Sequence, residues 1–283
     1  MYNNPNIISA DEAKMYQTHG DHIEAVMDTE LFIKDYLQRI LAESKLVDKI
    51  QTDVKLEDPE AYITNVFSLL YGESNLGFIA LIATDKAKTS NQFVSAYPVY
   101  FGKRIHVKVE KVWVWSNLIE ATIECSIKHF QFSFFATDYY RRKNDYVPGK
   151  EIDINIGAWG LRIEEADRGF TFEGQQAIDF LAKTGETPNY DENGDVVPVK
   201  FNTENLVAFF PLNEQCPEEP EFQSPASEIR EKSLLGESFW ETDVFIHRDY
   251  FDVKIPLLFK KEMVPDAKTG MPLRGFMWLV GAI

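Results

Sequence analysis

Residues 103–138 read KRIHVKVEKVWVWSNLIEATIECSIKHFQFSFFATD, and this stretch decides the fold. Ile105, Val107 and Val109 alternate with Arg104, His106 and Lys108. A period of two puts one face of a strand on a core and the other in solvent. The spacing predicts three consecutive strands, Lys103–Trp115, Leu118–Ile127 and Phe130–Asp138, with Ser116-Asn117 as a two-residue hairpin connection. Tyr146-Val147-Pro148-Gly149 has the composition of a turn, after which Ile152, Ile154 and Ile156 alternate again as a fourth strand.

The same pattern returns near the end of the chain. Residues 109–163 and 230–283 align without a gap at a constant shift of about 121 positions. Identical pairs are Glu110/Glu231, Lys111/Lys232, Glu120/Glu241, Phe130/Phe251, Asp145/Asp266, Gly149/Gly270 and Gly160/Gly281. Those identities are only about twice the chance level, so the apolar pattern carries the argument. Ile123, Cys125, Phe132, Phe134 and Ile152 fall opposite Val244, Ile246, Val253, Ile255 and Leu273. Two copies of one strand-strand-turn-strand unit are expected.

Working outward, residues 1–76 read as an N-terminal helical segment. Ser9 and Glu12 have capping-box spacing for a short helix. Asp28 or Thr29 opens a longer helix to Lys49, with Leu31, Phe32, Tyr36, Leu37, Ile40 and Leu41 as its apolar stripe. Asp58-Pro59 starts a third, to Tyr71, with Tyr62, Ile63, Val66, Phe67 and Leu70 on one face and Gly72 as its stop. Residues 77–163 form the first β unit, opened by the runs Phe78–Ala83 and Phe93–Phe101. Residues 164–236 interrupt it with a helix from Glu173 to Lys183 stopped by Gly185, an Asn193-Gly194 hairpin and a proline-rich acidic loop, 211–225. Residues 237–283 are the second β unit, packing with the first. The fold class is α+β, mainly β: helices followed by an antiparallel barrel or sandwich of two related units. Strands of this length with long excursions between them resemble the OB fold, a split barrel or a sandwich.

Composition bounds the function. The 283 residues include 21 Phe, 12 Tyr and 5 Trp, 45% of the chain is hydrophobic, and the net charge is −16. Such a chain builds a core, repels nucleic acid and anionic membranes, and favours a cationic partner. Cys125 and Cys216 imply no disulfide framework. Met1–Ala10 has no signal-peptide character and no apolar run spans a bilayer, so a cytoplasmic protein is expected.

The site motifs are sparse. His19-Gly20-Asp21-His22, with Glu24, is the nearest approach to a metal-ligand cluster, but it lacks a third ligand and reads as two exposed histidines in an interhelical loop. Asp191-Glu192-Asn193-Gly194-Asp195 resembles the opening of a calcium loop. Val196 and Asn202 stand where that loop needs Gly and Glu, so a hairpin tip explains it. Lys128, Arg141, Arg142 and Lys143 lie near Phe130, Phe132, Tyr139 and Tyr140. Arg141, Arg142 and Lys143 with Tyr139 and Tyr140 are the candidate residues for a single-stranded nucleic-acid surface. Glu164-Glu165 and Glu218-Glu219 are adjacent carboxylates that point apart or stand in solvent. No nucleophile elbow, phosphate loop or dinucleotide fingerprint is present, and Gly72-Glu73-Ser74-Asn75-Leu76-Gly77 has one residue too many for an elbow. Trp113, Trp115, Trp159, Trp240 and Trp278 fall in β segments, as core or as anchors for a partner.

The sequence therefore points to an acidic, non-enzymatic binding protein. It would act as an inhibitor or immunity-type protein covering a basic site on a protein partner, with no cofactor or metal. The alternatives are an OB-like barrel binding single-stranded nucleic acid, and a hydrolase whose site assembles from distant residues.

Overall fold

The computed structural model describes residues 4–55, 62–85, 91–211 and 213–283. Among these described residues seventeen strands and a few short helices follow in chain order. The N-terminal part holds β1 (Ile7–Ser9), α1 (Gly20–Glu24), α2 (Thr29–Leu31), a π-helical turn (Phe32–Tyr36) and α3 (Leu37–Glu43). A four-stranded antiparallel sheet follows, made of β2 (Lys45–Lys55), β3 (Tyr62–Glu73), β4 (Leu76–Asp85) and β5 (Asn91–Tyr100). Next come β6 (Lys103–Val114), β7 (Ala121–Ile127), β8 (Phe130–Ala136), α4 (Tyr139–Arg142) and β9 (Glu151–Glu165). The excursion holds β10 (Gly169–Phe172), α5 (Gly174–Thr184), β11 (Val199–Asn202) and β12 (Ala208–Phe210). The chain closes with β13 (Glu221–Pro225), β14 (Arg230–Leu234), β15 (Glu237–Arg248), β16 (Asp252–Lys260) and β17 (Pro272–Ala282).

Five strands close on themselves in the order β6-β7-β8-β17-β9 and back to β6. Only the β8–β17 contact is parallel; the other four are antiparallel. The interior is filled by the side chains whose alternation marks the sequence, among them Val107, Val109, Ile123, Phe134, Ile154 and Ile156, all buried. The fold is thus mainly β with a closed barrel.

At the shift of 121 the strands themselves coincide: β7, β8 and β9 fall on β15, β16 and β17, and the end of β6 falls on β14. The hairpin register agrees, since Ile123 pairs with Phe134 and the shifted positions Val244 and Ile255 also pair. The strongest correspondence is between β9 and β17. Ala158 pairs with Leu279, positions that the shift makes equivalent, and Gly157–Val280 and Trp159–Trp278 flank them symmetrically. Two antiparallel strands paired about equivalent residues have the geometry of a local two-fold axis. The shared glycine has a packing reason in both places. A Cβ on Gly160 would lie 2.6 Å from Phe259, and one on Gly281 would lie 2.7 Å from Phe134. The two stretches differ where β6 is one continuous strand, whereas the residues at the shifted positions are divided between the end of β13 and β14.

A second core lies outside the barrel. Trp159, Trp278 and Phe135 on the barrel's outer face, with Leu258 on the neighbouring β16, meet Phe78, Ala80, Tyr97 and Val99 from the four-stranded sheet, with Ile23, Val26 and Phe32 from the N-terminal segment. Residues 156–160 of β9 and 277–282 of β17 are therefore buried on both faces. Among the described residues no helix is long and apolar enough to cross a membrane.

The helical reading of residues 1–76 is largely overturned. Ile7–Ser9 is a strand paired in parallel with the end of β6, and turns follow it in place of a capped helix. Asp28 does cap a helix, its Oδ1 accepting from Leu31 N at 2.8 Å, but helical structure ends at Glu43, and 45–49 belong to β2. Of the helix expected over 59–71, residues 59–61 lie outside the described residues and 62–71 are strand β3. Their spacing fits a helix face, but β3 has strand partners on both edges, and the pairing decides. Gly72 closes a hairpin instead, with φ +97° and Gly77 opposite. The loop after β6 is also longer than two residues: Trp115 N bonds Glu120 O, and Leu118 takes φ +61°. The helix at 173–183 is found as α5, with Gly185 left-handed after it.

Candidate functional site: a buried histidine and carboxylate chain between two clefts

The loop from Trp115 to Glu120 folds around Asn117, whose Oδ1 accepts from the backbone N–H of Ile119 (3.2 Å) and Glu120 (3.1 Å). This turns the Glu120 carboxylate inward, where it is 2% exposed. Ser95 on β5 donates to Glu120 Oε1 at 2.7 Å, and Asn117 Nδ2 donates to Oε2. The N-terminal segment brings in the histidines. It is tied down by β1 on β6, by Ala10 N to Val114 O (2.8 Å) and by Tyr16 N to Gln215 O (3.0 Å). His19 then faces Glu120, with Nε2 3.1 Å from Oε1.

His19 Nδ1 lies 3.0 Å from His22 Nδ1, and His22 Nε2 lies 2.8 Å from Glu219 Oε1. The result is one continuous run: Ser95, Glu120, His19, His22, Glu219. Aromatic rings wall it in. His22 stacks on Trp278 with centroids 3.7 Å apart and planes at 8°, and His19 stacks on Trp115 at 4.9 Å. Residues 213–220 supply the far carboxylates. They run along β17, where Glu218 O accepts from Leu279 N (2.9 Å) and Pro220 O accepts from Met277 N (3.2 Å). Glu218 turns inward to Thr122, whose hydroxyl donates to Oε1 at 3.2 Å, while Oε2 is buried with no hydrogen-bond partner.

A cleft opens at each end. One of about 280 Å³ is lined by Tyr16, Thr18, Asp21, His22, Asn213, Cys216, Glu218 and Glu219. The other, of about 340 Å³, reaches His19, Ser95, Asn117 and Glu120 beneath apolar walls that include Phe32 and Phe93.

Burial sets the protonation of these groups. It pushes the Glu218 carboxyl up to about 8. Burial also raises Glu219. Burial, then the nearby His19, holds His22 well below the ordinary imidazole range, so its ring is neutral. Burial works against ionised Glu120, but His19, Ser95 and Asn117 outweigh it and hold the carboxyl below its usual range. Burial raises the Cys216 thiol, which is therefore no thiolate nucleophile.

These positions correct the reading of His19 and His22 as exposed loop residues: they are 8% and 3% exposed. Among the described residues no group of three or more ligating side chains is arranged for a metal. Glu218 and Glu219 do point apart, but into the protein rather than into solvent.

The basic candidates lie elsewhere. Tyr139 and Tyr140 on α4 are buried, each 6% exposed, so neither ring offers a stacking platform. Arg141 lies 3.6 Å from Asp48, Arg142 lies 3.4 Å from Asp145, and Lys143 is exposed just past the helix. Asp191 accepts from the backbone of Asn193 and Asp195 at 2.9 Å each, as a hairpin tip does. Trp159 and Trp278 are fully buried and Trp115 nearly so, whereas Trp113 and Trp240 are half-buried. No protein-family model, curated protein or solved structure matches the chain.

Proposed function

We propose that this is a binding protein that accepts a cationic group, an ammonium or guanidinium of a basic partner, in the cleft formed by Asp21, Glu218 and Glu219. One observation carries the reading. Glu218 is 1% exposed and has a buried oxygen without a partner, in a cleft with two further carboxyl groups and, among the described residues, no Lys or Arg in its lining. An unpaired buried acceptor costs free energy, and an arriving cation supplies the missing donor. The net charge of −16 would steer such a partner toward the protein. Both cysteines are free, which supports a reducing compartment such as the cytoplasm.

The ring order β6-β7-β8-β17-β9 favours an OB-like description. OB barrels take ligands on the face of their second and third strands, between the loop joining strands one and two and the loop joining four and five. Here those loops would be 115–120 and the long excursion that contributes Glu218 and Glu219, so the cleft occupies a ligand face. The coincidence of strands at the shift of 121 supports a duplication, in which this cleft belongs to one copy only. A nucleic-acid ligand fits poorly, because carboxylates line the face and the candidate tyrosines are buried. A hydrolase finds acid–base groups here, but the Ser95 hydroxyl bonds Glu120 rather than a histidine.

Calorimetric titration with agmatine, which carries a guanidinium and an ammonium, tests the reading. Binding should weaken from about 20 mM to about 500 mM salt and fall at least tenfold in Glu218→Leu, which has no acceptor to offer. Equal binding by that variant, or none by the wild type, refutes it.

A further inference from the structure

We propose that His19 and His22 form a proton relay that lets the carboxylate cleft take up a cation while the Glu219 proton stays inside the protein; this rests on the cation-accepting reading above. Three contacts lie in line: Glu219 Oε1 to His22 Nε2 (2.8 Å), His22 Nδ1 to His19 Nδ1 (3.0 Å), and His19 Nε2 to Glu120 Oε1 (3.1 Å). Each joins two atoms that are acceptors when deprotonated, so each gap needs one proton to be a hydrogen bond. Three protons in three gaps leave the chain with a single negative charge, wherever the protons sit.

In the free protein Glu219 holds its proton and donates it to His22 Nε2. His22 then carries its one hydrogen on Nδ1 and donates to His19 Nδ1, while His19 donates from Nε2 to ionised Glu120. A cation beside Glu219 favours the carboxylate. The Glu219 proton crosses to His22 Nε2, and the His22 Nδ1 proton crosses to His19 Nδ1. Glu219 becomes an anion, His22 is neutral as before, and His19 becomes an imidazolium. Two O–H or N–H bonds break, two N–H bonds form, and the total charge is unchanged.

The surroundings suit this outcome. His22 never carries charge, as its burial against Trp278 requires. The new imidazolium faces Glu120, whose carboxylate also accepts from Ser95 and Asn117, and it lies over the Trp115 ring at 4.9 Å. The other titratable groups around the pair are Asp21 on α1, Tyr97 on β5, and Cys216 and Glu218 of the excursion. Tyr97 and Cys216 are held protonated by burial. Asp21 lies near His22, but among the described residues it has no hydrogen bond to either ring and so offers the relay no exit.

Nitrogen-15 spectra of the imidazole rings at pH 7, recorded while agmatine is added to the intact protein, test the relay. The expected result is that His22 changes from Nδ1–H to Nε2–H while His19 goes from one protonated nitrogen to two. Binding with both tautomers unchanged overturns the relay and leaves the cleft standing, whereas no binding removes both. In Glu120→Gln the counter-ion for the imidazolium is gone, so agmatine affinity should fall about tenfold, one pKa unit's worth, and the tautomer change should be lost. Affinity equal to the wild type would also overturn the relay. Should that variant not fold, the wild-type titration decides alone.

Discussion

Replacing Glu218 by glutamine should change how stability depends on pH, and the size of the change follows from its burial. The carboxyl titrates near 4.5 when unfolded and near 8 when folded. Because the folded value is raised, the folded state holds this proton more tightly than the unfolded chain does. The contribution is fully present below about pH 4.5 and is lost as pH rises through about 8. Over the whole window the shift amounts to about 5 kcal/mol, of which about half disappears between pH 5 and pH 7. Glutamine keeps the shape of the neutral carboxyl and does not titrate. Urea unfolding of both proteins at pH 5, 6, 7 and 8 isolates the effect, since the other titrating groups are common to both. The stability of Glu218→Gln relative to wild type should climb with pH, by somewhat over 1 kcal/mol per unit through the middle of the range. A difference that is flat with pH would falsify the assignment of Glu218 as a buried, protonated acid.

Three further outcomes follow from the packing. Leu279→Ala removes a fully buried side chain on the local two-fold axis and should cost about 3 kcal/mol in urea unfolding. Gly275→Ala should cost at least as much, because its φ is +146° and the added Cβ would meet Arg162 O at 1.8 Å; a loss below about 1 kcal/mol would show that β17 can shift away from β9. Neither Cys125 nor Cys216 should react with a thiol reagent at pH 8 in the native protein. Both are buried with raised thiol pKa values, and both should react promptly once the chain is unfolded.

The barrel was legible because its signal is local. Alternation at Ile105, Val107 and Val109, the turn at Gly149 and the stop at Gly185 each depend on a few neighbouring residues. Strand β3 was not legible, since Tyr62, Ile63, Val66, Phe67 and Leu70 fit a helix face as well as a strand. What fixes the strand is pairing with β2 and β4, and single-segment periodicity carries no information about partners. The site was hidden for a related reason. His19 meets a carboxylate 101 positions away and His22 one 197 positions away, so only the bare His-Gly-Asp-His signal was visible. The Glu218-Glu219 pair looked solvated because adjacency says nothing about what folds over it. Thr122, Trp278 and the N-terminal segment do that, and all three lie far off in the chain.

A crystal of the wild-type protein soaked in agmatine gives the most direct test of the central claim. The account predicts a guanidinium or ammonium nitrogen in the cleft of Asp21, Glu218 and Glu219, within about 3 Å of the Glu218 Oε2 that has no partner in the free protein. An empty cleft in crystals that bind agmatine elsewhere, or a cation bound there without contact to Glu218, would contradict it.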